Sequence, residues 1–430
     1  VTPPVPATFA VITMGCPKNE ADSDRLEAAL AGAGHRPAPA SAADLVLVNT
    51  CGFIDAAKEE SIDVLLDACE AAHARGARVA AYGCLIARHE AELRAALPEV
   101  DVFSAFDVGP VLELLARLGR GRAAGDGSGA QRPRCRPTHA YLKISDGCDR
   151  RCSFCAIPLI KGTYETVAPA EILAAAADAL KAGARELVLV GQDTSRWQVA
   201  GYGGLERLLG DLRALGAVWL RLLYLQPDGL SAGVLEALAA HSVPYLDLPL
   251  QHASRSVLSA MGRSGDGDAY LALLARVRTA LPQAALRSTF IAGFPGETDD
   301  DVEELIEFIG AARLAVAGVF VFDPQEGTLA ATLPGQVPAA LAQERAARVG
   351  DAITRAAERY WRSFVGREVE VLVERGRRGT SSELTGRIAQ QAPDVDGLTF
   401  VTGAPARRGQ LVRAVVDDID GYHLLAQAVT

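Results

Sequence analysis

The chain has 430 residues, with 43 Lys and Arg against 53 Asp and Glu and a formal net charge of −10. Apolar residues make up 49% and charged residues 22%, which excludes wholesale disorder, collagen and coiled coil, and the length predicts about three domains. No apolar run approaches the ~18 residues of a membrane span, residues 1–10 lack the features of a secretory signal, and a cytoplasmic protein without broad nonspecific nucleic-acid binding is expected.

In chain order, residues 7–14 read as a short buried strand, followed by a helix with Leu26 and Leu30 on one face. Residues 44–50 form a second strand. Residues 55–73 form a helix carrying Ile62, Leu65, Leu66 and Cys69. A third strand at 77–83 and a third helix at 87–97 complete an alternation that predicts a parallel α/β domain over 1–118. Residues 119–137, rich in Gly, Arg and Pro, read as a linker. A second α/β series spans 138–365. Its candidate strands are Tyr141–Ser145, Glu186–Val190, Trp219–Leu225, Tyr245–Leu250, Ala285–Ala292 and Gly318–Phe322. Six βα units fit an open, partial barrel better than the eight of a closed one. Residues 366–430 change texture: strict alternation at 367–375, then four short strands between Gly and Asp turns. A small all-β barrel is predicted there.

Eight cysteines in a long chain without a secretion signal point to metal or catalysis before disulfides. Cys148, Cys152 and Cys155 stand at x3 and x2 spacing in ISDGCDRRCSFCAIP, after the first barrel strand. Thiolates bind iron–sulfur clusters or zinc. Three of them leave one iron of a 4Fe–4S cluster open, and they do not close a structural zinc tetrahedron. Cys16, Cys51 and Cys84 each directly follow an apolar run. In a parallel sheet such strand ends share one edge, where open α/β sheets bind ligands. The three can therefore form a second three-thiolate site; three core cysteines are the alternative. Cys69 reads as packing and Cys135 as incidental. The seven histidines form no ligand-spaced cluster and mostly suit the surface or turns.

The Cys148–Cys155 spacing, with Phe154 before the last Cys, resembles the radical S-adenosylmethionine (SAM) enzymes. That resemblance implies SAM chelated at the open iron, reductive cleavage to a 5′-deoxyadenosyl radical, and hydrogen abstraction from an unactivated carbon. With the second cysteine set and the terminal barrel, the whole chain resembles the methylthiotransferases of that group. The resemblance implies two 4Fe–4S clusters, one on Cys16, Cys51 and Cys84, and a TRAM-like end. GCPKNEADSDR (15–25) and NTCGFIDAAKEES (49–61) resemble the branch that methylthiolates the β-carbon of an aspartate in small-ribosomal-subunit protein twelve. CAIPLIKG (155–162), GQDTSRW (191–197), RLLYLQPD (221–228), LPLQHAS (248–254), FIAGFPGET (290–298) and QEGT (325–328) agree. They imply Phe154 and Ile157 flanking the SAM adenine and Gln192 and Asp193 reaching its methionine or ribose. They also imply Gln251 reaching substrate or SAM, with Gly293 and Gly296 allowing close backbone approach. One departure stands out. The family's Arg-rich stretch after the cluster loop is KGTYETVAP here, with Lys161 and no Arg.

The implied partners are the ribosomal protein, free or in the subunit, and an electron donor, with no membrane. An RNA contact through the terminal barrel stays open. Its arginines (367, 375, 377, 378, 387, 407, 408 and 413) are balanced by acids, with Phe400 and Tyr422 as its aromatics. That mixture favours a basic protein over naked RNA. The rival readings are a transfer RNA adenosine methylthiotransferase, a two-cluster electron carrier and a zinc-stabilised RNA-binding protein.

Overall fold

The computed structural model describes residues 6–103, 108–120, 138–376, 383–403 and 405–429. Most of the predicted linker, with Cys135, Arg377 and Arg378, lies outside the described residues. The chain divides into two compact units. One comprises Val1–Cys135 with Gly147–Asp149 and Ala156–Thr163; the other comprises Arg136–Asp146, Arg150–Cys155 and Tyr164–Thr430.

In the first unit, five strands form one parallel sheet: β1 (Thr8–Thr13), β2 (Arg36–Pro37), β3 (Leu45–Thr50), β4 (Arg78–Gly83) and β5 (Val100–Val102). Their order is β2-β1-β3-β4-β5. The apolar runs are continuous because both faces are covered. Along β3, Val46 and Val48 join one core cluster while Leu45 and Leu47 join another, the period of two that a strand imposes. The predicted helix at 55–73 is Asp55–His73. Leu65 is buried there, whereas Leu66 is 46% exposed and belongs to the outer face. The third helix begins at Cys84, three residues earlier than its apolar pattern indicates. Strand β5 is too short for periodicity to show; the helix Val108–Arg120, with Val111, Leu114 and Leu115 buried at helical spacing, extends the alternation beyond the helix predicted at 87–97.

The second unit holds six parallel barrel strands: β6 (His139–Lys143), β7 (Glu186–Val190), β8 (Trp219–Leu222), β9 (Tyr245–Asp247), β10 (Ala285–Ala292) and β11 (Val316–Val321). They pair as β8-β7-β6 and β9-β10-β11. The two halves meet through Val243 N donating to Leu220 O (2.8 Å) and Leu225 N to Asp247 O (3.0 Å). One large apolar core fills the space between strands and helices. Strands β8 and β9 end three residues before the predicted Leu225 and Leu250, whereas β10 spans the predicted Ala285–Ala292. Tyr224 takes φ +61° and turns the chain out of β8.

The terminal strands β12 (Glu368–Arg375), β13 (Leu384–Arg387), β14 (Thr399–Thr402), β15 (Leu411–Asp420) and β16 (His423–Ala428) close into a five-stranded barrel. This barrel docks where the central strands begin. Arg387, fully buried, pairs at 2.7 Å with Glu186, the first residue of β7. Arg221 Nε holds the other Glu186 oxygen at 2.6 Å. Burial alone would push the Glu186 carboxyl up, but the two guanidinium groups outweigh it and hold it below its ordinary value. Tyr141 donates to Asp394 (3.0 Å) nearby. Arg387 is thus a structural residue, not part of a solvated basic face. The opposite, C-terminal ends of the strands stay free of the terminal barrel, and that is where such barrels do chemistry.

Candidate functional site

The strand order of the first unit places a topological switch point between β1 and β3, and open α/β sheets bind ligands outside the carboxyl ends there. Thr13 pairs with Asn49, and Asn49 with Tyr82. Cys16, Cys51 and Cys84 follow that row by two or three residues. The loops that carry them touch. A Cβ on Gly15 would meet Cys51 Sγ at 3.0 Å, and one on Gly52 would meet Leu85 Cα at 2.6 Å. Glycine at both positions is what lets three loops share one edge. Asn19 and Asn49 tie them further: Asn19 Nδ2 donates to Met14 O (2.8 Å), and Asn49 Nδ2 to Asn19 O (2.9 Å). Ser61 Oγ accepts from Cys51 N and donates to Cys51 O, both at 2.9 Å.

Two of these cysteines sit at helix starts. Cys16 is the N-cap of Pro17–Gly32, and Cys84 is the first residue of Cys84–Ala96. Helix N-termini favour thiolate. Burial works the other way and pushes the Cys84 thiol up to about 11, against the pull of Lys161. Burial also raises Cys51, while the backbone N–H of Phe53 favours its thiolate. Lys161 Nζ lies 3.4 Å from Asp22 Oδ2, both side chains 3% exposed. The lysine that replaces the expected Arg-rich run is therefore a buried cation beside this site.

The second set lies on one loop. Ser153 N donates to Met261 O (3.0 Å) and Ser153 Oγ to Ala260 O (2.7 Å), which anchors its middle. Arg263 Nη1 points at Cys152 Sγ (3.8 Å) while its Nη2 donates to Pro249 O (2.8 Å). Arg150, inside the loop, donates through Nε to Asp193 (2.7 Å) and grips Asp228 with both terminal nitrogens (2.9 and 2.8 Å). Burial opposes ionisation of Asp228, yet the Arg150 bonds hold its carboxyl below the usual range.

None of the seven cysteines among the described residues forms a disulfide. No three His, Cys, Asp or Glu side chains there close on a single metal ion. A four-iron cluster is a larger body, and each set offers it three soft donors with positive charge at hand. The donor chemistry fits such a cluster in both places.

The remaining predicted residues divide. Phe154 packs on the apolar cluster of Val257, Met261, Phe294 and Ala330. Ile157 opens the short helix Ile157–Lys161, half-buried. Gln192 donates to Asp146 (3.0 Å), and its buried carbonyl oxygen has no partner among the described residues. Gln251 follows β9 at φ +71°, a strained backbone at a strand end. Asp193 is fully buried and accepts from Arg150 and from Ser195 Oγ (2.6 Å), so it holds the loop. The space beside Gly293 is filled by Ala342, whose Cβ would lie 2.3 Å from an added Cβ, and Gly293 N donates to Glu297 (2.9 Å). Glycine there admits the close approach of the helix Ala339–Arg362. Open space lies beside Gly296. His252 is fully buried, not a surface or turn residue, and its Nδ1 accepts from Ser254 N (3.0 Å). Arg150 and Arg263 were missed in the sequence. Arg150 stands inside the motif and could have been noticed; Arg263 reaches Cys152 only through the fold.

Residues 142–309 match the Radical SAM superfamily, 365–429 the TRAM domain, and 8–105 a family described as "Uncharacterized protein family UPF0004". A Nocardioides protein named "Ribosomal protein uS12 methylthiotransferase RimO" is 40% identical, covering 98% of this chain and 97% of its own. A protein of the same name from Moorella thermoacetica is 41% identical over 94% and 95%. This chain belongs to the RimO family of radical SAM methylthiotransferases. Enzymes of this family use SAM and 4Fe–4S clusters. The radical SAM methyltransferase TsrM of Kitasatospora setae shares the fold, with a TM-score of 0.54 at 14% identity over 74% of this chain and 75% of that one. No helix among the described residues is long and apolar enough to cross a membrane.

Proposed function

We propose that this enzyme methylthiolates the β-carbon of an aspartate in small-ribosomal-subunit protein uS12, in the cytoplasm and with an external electron donor. The observation that carries the chemistry is the second three-cysteine set at the switch point of the first unit. An electron carrier has no use for two incomplete ligand sets, and a zinc-stabilised protein would complete its tetrahedra. The substrate follows the relatives, whose names specify uS12 and not transfer RNA.

When bound, the barrel cluster with SAM supplies the one-electron chemistry for hydrogen abstraction, and the N-terminal cluster supplies the methylthio sulfur. The chain's own residues have separate tasks. Cys148, Cys152 and Cys155 hold the first group; Cys16, Cys51 and Cys84 hold the second. Arg263 offers positive charge to the Cys152 sulfur. Arg150 fixes the cysteine loop to the strand ends through Asp193 and Asp228. The unpartnered oxygen of Gln192 is an acceptor for a SAM amino or hydroxyl group. Phe154 and Ile157 are assigned to the adenine, and Gln251 to substrate or SAM. The chain divides functionally at 1–118, 138–365 and 366–430, the last segment contacting the substrate protein or its RNA.

The test is an anaerobic reconstitution with iron and sulfide, then SAM and a strong reductant. A peptide of the uS12 aspartate loop and a transfer RNA anticodon stem-loop are offered in parallel and weighed by mass spectrometry. The expected result is a methylthio gain on the peptide alone. A gain on the RNA alone overturns the substrate and leaves the chemistry. No 5′-deoxyadenosine from SAM overturns the barrel assignment.

A further inference from the structure

On the side of the barrel away from the strand ends that carry Gln192 and Gln251, a cavity of about 720 Å³ opens between the central and terminal barrels. Arg278, Arg313, Arg359 and Arg367 line it. Three are exposed, and Arg278 is half-buried. Among the described residues none of the four is ion-paired with a carboxylate, although other surface arginines are: Arg348 pairs with Glu303, Arg362 with Glu358 and Arg413 with Glu368. The hydrogen bonds they make go to carbonyl oxygens. Arg278 donates to Ala312 O and Arg313 O, and Arg359 to Gly310 O. Two acids share the lining: Glu368, already held by Arg413, and Glu370.

The four cations come from separate elements. Arg278 is in the last turn of Gly267–Ala280, Arg313 caps Asp299–Ala312, Arg359 is in the last turn of Ala339–Arg362, and Arg367 precedes β12. They are close enough to act on one another. Burial, and then the Arg313 guanidinium, lowers the pKa of Arg278; Arg278 and Arg367 both act on the Tyr360 phenol. A fold that gathers guanidinium groups without matching acids leaves their charge for an anion. Planar forks match phosphate oxygens two at a time. The cavity exceeds what one inorganic phosphate fills and falls within the range of small-molecule sites.

We propose that this groove binds the phosphate of a nucleotide unit, carried either by an RNA chain or by a free nucleotide. The reading does not depend on which substrate receives the methylthio group.

The test measures binding of a labelled single-stranded RNA and of ATP to the full chain. The triple variant Arg313→Asn, Arg359→Gln, Arg367→Gln changes exposed residues only and keeps Arg278. Asn suits the left-handed backbone at position 313 (φ 52°). Arg355→Gln, exposed on the same long helix but outside the lining, is the control, and thermal melting checks each fold. RNA binding weakened tenfold or more by the triple variant alone, with a salt slope reduced by about 0.7 per lost contact, assigns the site to RNA. The same loss for ATP, with RNA unaffected, assigns it to a free nucleotide. Equal affinity of wild type and triple variant for both probes, or no binding of either, overturns the proposal. If the triple variant melts early, Arg359→Gln alone is compared with Arg355→Gln under the same criteria.

Discussion

The two cysteine sets are built in opposite ways. Cys148, Cys152 and Cys155 share one loop, and their spacing alone marks them as a candidate ligand set. Cys16, Cys51 and Cys84 come from three loops, and only the register of β1, β3 and β4 sets them at one edge. The surroundings differ as well. Cys152 meets a guanidinium that also holds a backbone carbonyl. Cys84 lies in a buried place whose cation, Lys161, is shared with Asp22. A ligand set local in sequence needs its loop anchored; a set assembled by topology needs its loops to fit.

The largest effect comes from removing one ligand. Cys51→Ala and Cys148→Ala should each lower reconstituted iron from about eight to about four per chain. Both should abolish methylthio transfer, but for different reasons. Cys51→Ala should still cleave SAM to 5′-deoxyadenosine, and Cys148→Ala should not. Iron analysis beside product chromatography reads both. If Cys51→Ala removes SAM cleavage as well, the two sites do not act separately.

Next in size is a change that spares every ligand. Gly52→Ala places a Cβ 2.6 Å from the Leu85 backbone, so the Cys51 and Cys84 loops must part. Overpacking of this kind costs about 1–3 kcal/mol, which the large core of the other unit does not feel. The expected result is loss of the N-terminal cluster's iron and of transfer, with SAM cleavage retained. The local set has a matching position at Gly262, where an added Cβ would meet Arg151 O at 2.6 Å.

What the sequence made legible follows the same division. The βα alternation and the five short terminal strands could be read because each rests on a local pattern, and the shared edge of Cys16, Cys51 and Cys84 because it rests on strand ends. Strand β5 is three residues long, below what periodicity resolves. Leu66 fits the apolar spacing of its helix yet faces outward, since the helix buries only the stripe through Ser61, Leu65, Ala68 and Ala72. The roles implied for Asp193 and Gly293 shared one weakness. A residue at a strand end can face a ligand or hold its own loop, and only partners such as Arg150 and Ala342 tell which. Arg387 looked like surface charge because its partner, Glu186, lies some two hundred residues earlier in the chain.

A smaller effect distinguishes the two electrostatic surroundings. Arg263→Gln removes the guanidinium at Cys152 and keeps a side chain able to reach Pro249 O. Positive charge and hydrogen bonds at cluster sulfur favour the reduced state. A contact worth about 1–2 kcal/mol corresponds to a fall of roughly 40–90 mV in a one-electron potential. Potentiometric titration followed by electron paramagnetic resonance should show that fall for the barrel cluster alone. An unchanged potential would mean that the guanidinium only props the loop.

The smallest shift is expected where two charges already oppose each other. Lys161 favours the Cys84 thiolate and Asp22 disfavours it, with Lys161 the stronger. Lys161→Met alone leaves Asp22 buried and strips away the favourable charge, so the potential of the N-terminal cluster should fall. The double variant Lys161→Met, Asp22→Asn removes both influences and should restore most of the loss. Its net displacement should be smaller than that of Arg263→Gln at the barrel cluster. If the double variant falls as far as the single one, Lys161 acts on the cluster directly and Asp22 does not screen it. The lysine would then do for a topological ligand set what the arginine does for a local one.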